Sequence, residues 1–251
     1  MAVETSPVDR AALGLPADRE AVCFALCQTP YKFDPVYDPL YARIAKAVGP
    51  CRFWLARTEE FSWSSDQLLK RLAAPFRSEG LNPDDHLRVI PWLPPEKFPS
   101  FLDAMDIYLD CPAFSGYTTA WQAVHRGLPI VTLQGPFLRQ RLATGLLRQI
   151  GQAEGIASTE DEYAAIAIRR ARECRDAGRW AARRDAMRQA APRADGNRPA
   201  VRAFEQTLIG ALRRCKEKTK KKPSVIKRSW KYPRSCRAWS VDPYAEPSSM
   251  G

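Results

Sequence analysis

The 251-residue sequence predicts an α/β protein, a Rossmann-like doubly wound parallel sheet. Three observations lead there. Short apolar runs recur along the chain, near-continuous rather than alternating, as parallel strands covered on both faces require. Segments with apolar residues at helical spacing separate those runs. Small and hydroxylated residues, Ser115-Gly116-Tyr117-Thr118-Thr119, stand where one run ends and a helical pattern begins.

Residues 1–19 carry acidic residues and prolines and read as a flexible leader. The globular domain is expected over 20–214. Its strands are placed at 21–27, 51–57, 87–91, 107–111 and 129–133, with a weaker one at 155–157. Helical patterns over 36–47, 66–78, 96–105, 118–126 and 137–150 fill the intervals. Asp34 before Pro35 is a capping pair for the first of them. Two Arg- and Ala-rich helices follow, at 160–177 and 179–191. Its interleaved Glu173 and Asp176 make the Arg-rich stretch 169–184 a solvated helix face. The break at 192–199 leads to a last amphipathic helix, 200–214, whose Val201, Phe204, Leu208 and Leu212 fall at helical spacing. Beyond it, the lysine run of residues 216–222 and an aperiodic mixture of Pro, Ser, Trp and Arg predict a disordered basic tail over 215–251.

Charge and composition narrow the function. The formal net charge is +11, but residues 213–251 hold 12 Lys/Arg against 3 Asp/Glu. The globular part is therefore nearly neutral, and nucleic-acid binding would belong to the tail alone, where lysines lie near Trp230, Tyr232 and Trp239. A fortuitous extension of the reading frame is the plainer account of that tail. No apolar run approaches the ~20 residues that span a bilayer. The leader lacks the apolar core of a signal peptide, which predicts a cytoplasmic protein with reduced thiols. The seven cysteines form no CxxC pair, and two histidines are too few for most His-rich metal sites.

The chemistry-bearing segments are those expected at strand ends. A helix beginning just after a strand offers unpaired backbone N–H groups and the positive end of its dipole, which suits a phosphate-bearing ligand. Thr118 and Thr119 can add hydroxyl donors, although Ser115 or Thr118 could equally be ordinary N-caps. Lys32 falls at the end of the first strand, where it is either a phosphate partner or a solvated lysine. Phe98 is core packing or a platform for a base, and Trp121 is expected to pack against the sheet. His125 is placed near a helix end with no catalytic part. Neither GxGxxG nor GxxxxGK[ST] is present, so dinucleotide and P-loop readings lose their usual support, while a nucleotide-sugar diphosphate fits.

Five stretches, in order and in register, resemble glycosyltransferase family 41, the O-linked N-acetylglucosamine transferases and their bacterial relatives. They are the runs at 27–35 (Cys-Gln-Thr-Pro-Tyr-Lys-Phe-Asp-Pro), 88–94, 104–112, 115–119 and 127–135. The resemblance covers about residues 20 to 213. It implies the C-terminal, donor-binding half of a GT-B glycosyltransferase. It further implies a UDP-sugar donor such as UDP-N-acetylglucosamine, no metal or other cofactor, and a polypeptide Ser/Thr acceptor. Lys32 would be the cation on the diphosphate, Thr118 and Thr119 its phosphate-binding threonines, and Thr29 a polar neighbour of the same phosphates. Leu93 and Pro94 would lie in the loop whose backbone reads uracil. Three positions depart from the family pattern. Tyr117 replaces a histidine, Gln122 an acidic residue that holds the ribose, and Phe98 a histidine packed on the base.

The family's N-terminal catalytic half and tetratricopeptide repeats are not recognisable in this sequence, and no general base can be nominated. Three functions are therefore open. The chain is a UDP-sugar-binding domain of a glycosyltransferase that needs a separate N-terminal half. Alternatively it is a non-catalytic UDP-sugar-binding or split-subunit module, or it binds nucleic acid through the basic tail.

Overall fold

A computed structural model describes residues 11, 15, 21–57 and 62–220, with side chains described to residue 216. Six strands, β1 (Val22–Leu26), β2 (Cys51–Ala56), β3 (Leu87–Ile90), β4 (Ile107–Leu109), β5 (Ile130–Leu133) and β6 (Ile156–Ala157), form one sheet in the order β3-β2-β1-β4-β5-β6. Every neighbouring pair is parallel. The chain steps outward from β1 to β3, then returns to lay β4 on the other side of β1. That reversal opens a crevice at the carboxyl ends of β1 and β4, the place where open α/β sheets hold ligands. The pairing Ala25↔Tyr108 sets which loop residues meet there.

Alternation along each strand divides the core. Phe24, Leu26, Phe53, Leu55, Ile107, Leu109 and Val131 face one layer of helices, α1 (Asp38–Val48), α2 (Ser62–Ser78) and α7 (Glu160–Glu173). Phe24 and Phe53 stack with ring centroids 4.9 Å apart, and Phe76 of α2 meets Phe53 edge-on at 5.8 Å. Cys23, Ala25, Trp54, Tyr108 and Ile130 face the other layer, α4 (Phe98–Ala104), α5 (Thr118–His125) and α6 (Leu142–Ile150). Helix α8 (Ala177–Ala190) serves both, Trp180 in the first cluster and Met187 in the second. Leu15 is also buried in the second cluster, so one residue of the expected leader belongs to the core.

The six expected strands are present with small changes of boundary. The helices differ more, and for identifiable reasons. The pattern over 137–150 is split, because the Phe137 N–H donates to Gln140 Oε1 and closes a 3-10 turn at Leu138–Gln140 before α6. α7 stops at Glu173 because Asp176 accepts from the Arg179 N–H and so caps α8. The short α3 (Pro83–His86) escaped the sequence reading although its signal, Asn82 as N-cap with Pro83 at N1, is legible. The last helix, α9 (Arg198–Lys220), belongs to a second unit that begins at residue 198. It runs through residues 215–220, which the sequence reading assigned to a disordered tail, since Lys and Glu are good helix formers. Residues 221–251 of that expected tail, and most of the expected leader, lie outside the described residues. Among the described residues no helix is long and apolar enough to cross a membrane.

A buried carboxylate shapes the loop that leaves β4. Asp110 is 1% exposed. It accepts from the Gly116 N–H at 2.7 Å, from Ser115 Oγ at 2.6 Å and from Thr132 Oγ1 on β5 at 2.7 Å. Ser115 Oγ in turn accepts from the Ala143 N–H at the start of α6. Ser115 is therefore not the cap of α5; it serves a different helix. Burial pushes the Asp110 carboxyl up, against the pull of Ser115, the Gly116 amide, Thr132 and the Lys32 charge. The folded chain thus holds this proton more tightly than the unfolded one. The group's contribution to stability is full below its ordinary value of 3.8 and is lost as pH rises through the folded value. Asp110→Ala leaves three donors without a partner and is expected to cost roughly 3 kcal/mol. Asp110→Asn retains an acceptor for Gly116 and lets both hydroxyls rotate, so it should change stability at pH 7 by no more than about 1 kcal/mol. It should also remove the carboxylate's slope above pH 3.8. Thermal melts of the three chains across pH 4–8 check both expectations.

Candidate functional site

At the crevice, β1 runs into a 3-10 turn at Pro30–Lys32 with Pro30 at its first position. Two contacts hold that turn against the sheet. Arg71 of α2 donates to the Phe33 carbonyl at 2.9 Å while gripping both carboxylate oxygens of Asp38. The Cys111 thiol, which burial pushes up to about 12, donates to the Lys32 carbonyl at 2.9 Å. Phe33 is core, whereas Tyr31 is exposed. Asp34 accepts from the Val36 N–H, but it caps a separate 3-10 turn, Pro35–Tyr37, rather than the expected helix, since α1 starts only at Asp38 after Tyr37.

Lys32 is half-buried, and its Nζ has neutral neighbours. It donates to Gln28 Oε1 at 3.0 Å and lies 4.7 Å from the centre of the Phe114 ring. Gln28, 4% exposed, turns its amide nitrogen the other way and donates to Thr119 Oγ1 at 3.0 Å and to the Tyr108 hydroxyl. The Tyr108 and Thr119 oxygens are themselves 2.7 Å apart. One buried amide therefore joins Lys32, after β1, to Thr119, in the first turn of the helix after β4.

Among the described residues the start of α5 has no side-chain cap, so its first-turn N–H groups keep their donor capacity. Thr118 is exposed, Thr119 and Gln122 half-buried and Tyr117 exposed at 59%. Helical spacing puts Gln122 one turn beyond Thr118 and Thr119 on the same side. Gly116 is required by close approach. A Cβ there would lie 2.7 Å from the Tyr108 hydroxyl and 2.9 Å from Thr119 Oγ1, inside the hydrogen-bond network itself. Thr29 is adjacent in the first loop, its Oγ1 buried without a hydrogen-bond partner among the described residues.

Leu93, Pro94 and Phe98 group separately, at the far side of the sheet after β3. Leu93 and Phe98 pack against the second core cluster, and the Phe98 ring lies tilted 6.1 Å from Phe101. The Pro94 carbonyl accepts from the Lys97 and Phe98 N–H groups. Packing is thus one role that Phe98 fills. Trp121 is partly buried against the same cluster, lies 4.1 Å from the His125 ring and donates its indole N–H to Asp195 Oδ1. His125, the last residue of α5, shares that carboxylate at 3.2 Å.

The sequence reading thus named both ends of the network, Lys32 and Thr119, and missed Gln28, Tyr108, Phe114 and Asp110 between and around them. Two signals were present: a glutamine closing an apolar strand, and a tyrosine in the middle of a fully buried one, whose hydroxyl must find a partner.

The model of glycosyl transferase family 41 matches residues 3–196. The UDP-N-acetylglucosamine–peptide N-acetylglucosaminyltransferase of Caenorhabditis elegans is 29% identical over 162 residues, which is 64% of this chain and 13% of that protein. A mutant O-GlcNAc transferase of Thermobaculum terrenum superimposes with a TM-score of 0.63 at 26% identity, over 84% of this chain and 39% of that one. The Anabaena protein HepE, solved with UDP and glucose, shares the fold with a TM-score of 0.55 at 16% identity, over 83% of this chain and 54% of its own. The chain therefore spans well under two thirds of the length of these relatives. With its sheet order, its donor-rich switch point and a family match over most of its length, the chain belongs to glycosyltransferase family 41, as the Rossmann-like C-terminal half of a GT-B fold.

Proposed function

We propose that this domain binds a UDP-sugar, UDP-N-acetylglucosamine or a related hexose donor, for transfer to a Ser/Thr hydroxyl of a polypeptide. The observation that carries this reading is the hydrogen-bonded bridge from Lys32 through Gln28 to Thr119 across the switch point. It holds a cation and a hydroxyl donor beside an uncapped helix start, three kinds of group that all favour a diphosphate. The relatives' names support this choice of sugar and acceptor: the Caenorhabditis elegans protein is named for UDP-N-acetylglucosamine and peptide.

Lys32 has the chief part in catalysis. When the bond from the anomeric carbon to the diphosphate breaks, negative charge builds on the leaving oxygen. A fixed ammonium stabilises that charge most in a site with little water. Thr118 and Thr119, with the first-turn amides of α5, hold the phosphates in place, and Thr29 stands ready for the same oxygens. Gln122 is assigned to the ribose, on which an amide can both donate and accept. Leu93, Pro94 and Phe98 are assigned to the base side of the donor, and the exposed Tyr117, which precedes the two threonines at the start of α5, to its phosphate side. Lys32 takes the place that a divalent metal fills in other transferases. The acceptor side and its general base belong to a partner half outside this domain, and the assembled protein works in the cytoplasm.

Calorimetric titration with UDP tests this reading. Lys32→Ala should weaken binding by about 10- to 100-fold, the worth of a hydrogen bond to a charged group. EDTA should leave the wild-type affinity unchanged. Equal affinity in wild type and variant would refute the role of Lys32, and a loss of binding in EDTA would refute independence from metal. Gly116→Ala should also reduce UDP affinity, by roughly 10-fold or more, because its methyl group drives Tyr108 and Thr119 apart. A crystal structure of the variant, with the Tyr108–Thr119 separation measured, checks the cause.

A further inference from the structure

We propose that Gln28 is a positioning residue that fixes the direction of every hydrogen bond in the site, so that Lys32 and Thr119 both point protons at one anion. This rests on the donor-site reading above.

The partners allow a single amide orientation. Lys32 Nζ can only donate, so the oxygen of Gln28 must face it, which it does at 3.0 Å. The amide nitrogen is then directed at Tyr108 and Thr119, and both hydroxyl oxygens accept from it. Tyr108 is fully buried, and burial first, then the nearby Asp110 charge, pushes its hydroxyl well above 10 and keeps it protonated. With Gln28 donating to it, its own proton has one hydroxyl neighbour to go to, Thr119 Oγ1 at 2.7 Å. Thr119 Oγ1 thus accepts twice. Its remaining proton is turned out of the network, on a half-exposed side chain in the first turn of α5. Lys32 likewise uses one of its three protons on the amide. A neutral partner also leaves its full charge for a ligand, which a carboxylate at the same position would not.

Substitution with glutamate reverses the pattern at almost constant shape. A carboxylate at position 28 would neutralise Lys32 and accept from Tyr108 and Thr119, drawing the threonine proton inward. Methionine of similar length would remove all three hydrogen bonds and leave Lys32 charged. The two variants therefore separate packing from proton direction. Gln28→Glu satisfies its buried neighbours and should melt at or above the temperature of Gln28→Met. Yet it should bind the diphosphate worse.

The experiment measures the affinities of UDP and of uridine, which lacks the diphosphate, for wild type and both variants, together with their melting temperatures. Expected is a UDP-over-uridine preference that falls by roughly 30-fold or more in Gln28→Glu and by less in Gln28→Met, with uridine affinity changed by under about 3-fold throughout. A preference in Gln28→Glu within about 3-fold of wild type would overturn the inference. So would a Gln28→Met preference as low as that of Gln28→Glu, since the loss would then follow packing alone. A wild-type chain that binds UDP no tighter than uridine would overturn the donor-site reading itself, and the variants would not be needed to decide it.

Discussion

The return of the chain from β3 to β4 is the constraint on which the site depends. It makes β1 and β4 neighbours, so two loops far apart in sequence leave the sheet side by side. Each loop is then tied down by groups that do no chemistry. Arg71 and Cys111 hold the Lys32 turn by its backbone. Asp110 gathers the loop before α5 onto β5 and, through Ser115, onto α6. Only after both loops are held can a single glutamine reach from one to the other. A loose loop would place the same residues within reach for a small fraction of the time, and affinity would fall by that fraction.

Most of the fold was legible in the sequence because strand and helix signals are local. The apolar runs locate all six strands, and Asp34-Pro35 marks a helical start, although the turn it caps ends before α1. Lys32 and Thr119, the two ends of the Gln28 bridge, are legible from their places at a strand end and a helix start. What escaped were relations between elements. Nothing in the local pattern says that Ala25 pairs with Tyr108, and that pairing is what carries Gln28 to Thr119. Ser115 is, with Thr118, one of two local cap candidates in the sequence, whereas in the structure it bonds to Asp110 and the start of α6. Asp110 carries no local signal of its part in the loop. Its three donors come from β5 and from the loop after its own strand, which only the folded sheet brings together. The family resemblance assigned functional roles but could not supply these contacts.

The charges near the site are arranged so that opposite signs do not cancel. Asp110 is close enough for Lys32 to pull its carboxyl down, yet its oxygens are occupied by two hydroxyls and an amide. Lys32 is met instead by an amide oxygen and an aromatic face. Had a carboxylate taken the place of Gln28, the pair would have been satisfied before any ligand arrived, and the ligand would have had to break it. An amide costs less to leave and does not compete for the charge. The acid is buried and supports structure, while the cation is half-exposed, as the proposed donor site requires.

This organisation runs against what a stable core prefers. Gln28, Tyr108 and Asp110 bring polar groups into the middle of an apolar sheet, on and just beyond its two central strands, where a missing partner costs as much as several ordinary contacts gain. Phenylalanine at 108 and an apolar residue at 28 would satisfy the strand pattern better. Their presence follows if the domain must hold donors in position before its ligand binds. A preassembled network loses little entropy on binding, whereas flexible side chains must be ordered by each new ligand. Gly116 belongs to the same logic, because the network leaves no room for even a methyl group. The positions where local rules favour one residue and the chain carries another are thus the positions that hold the proposed donor site in shape.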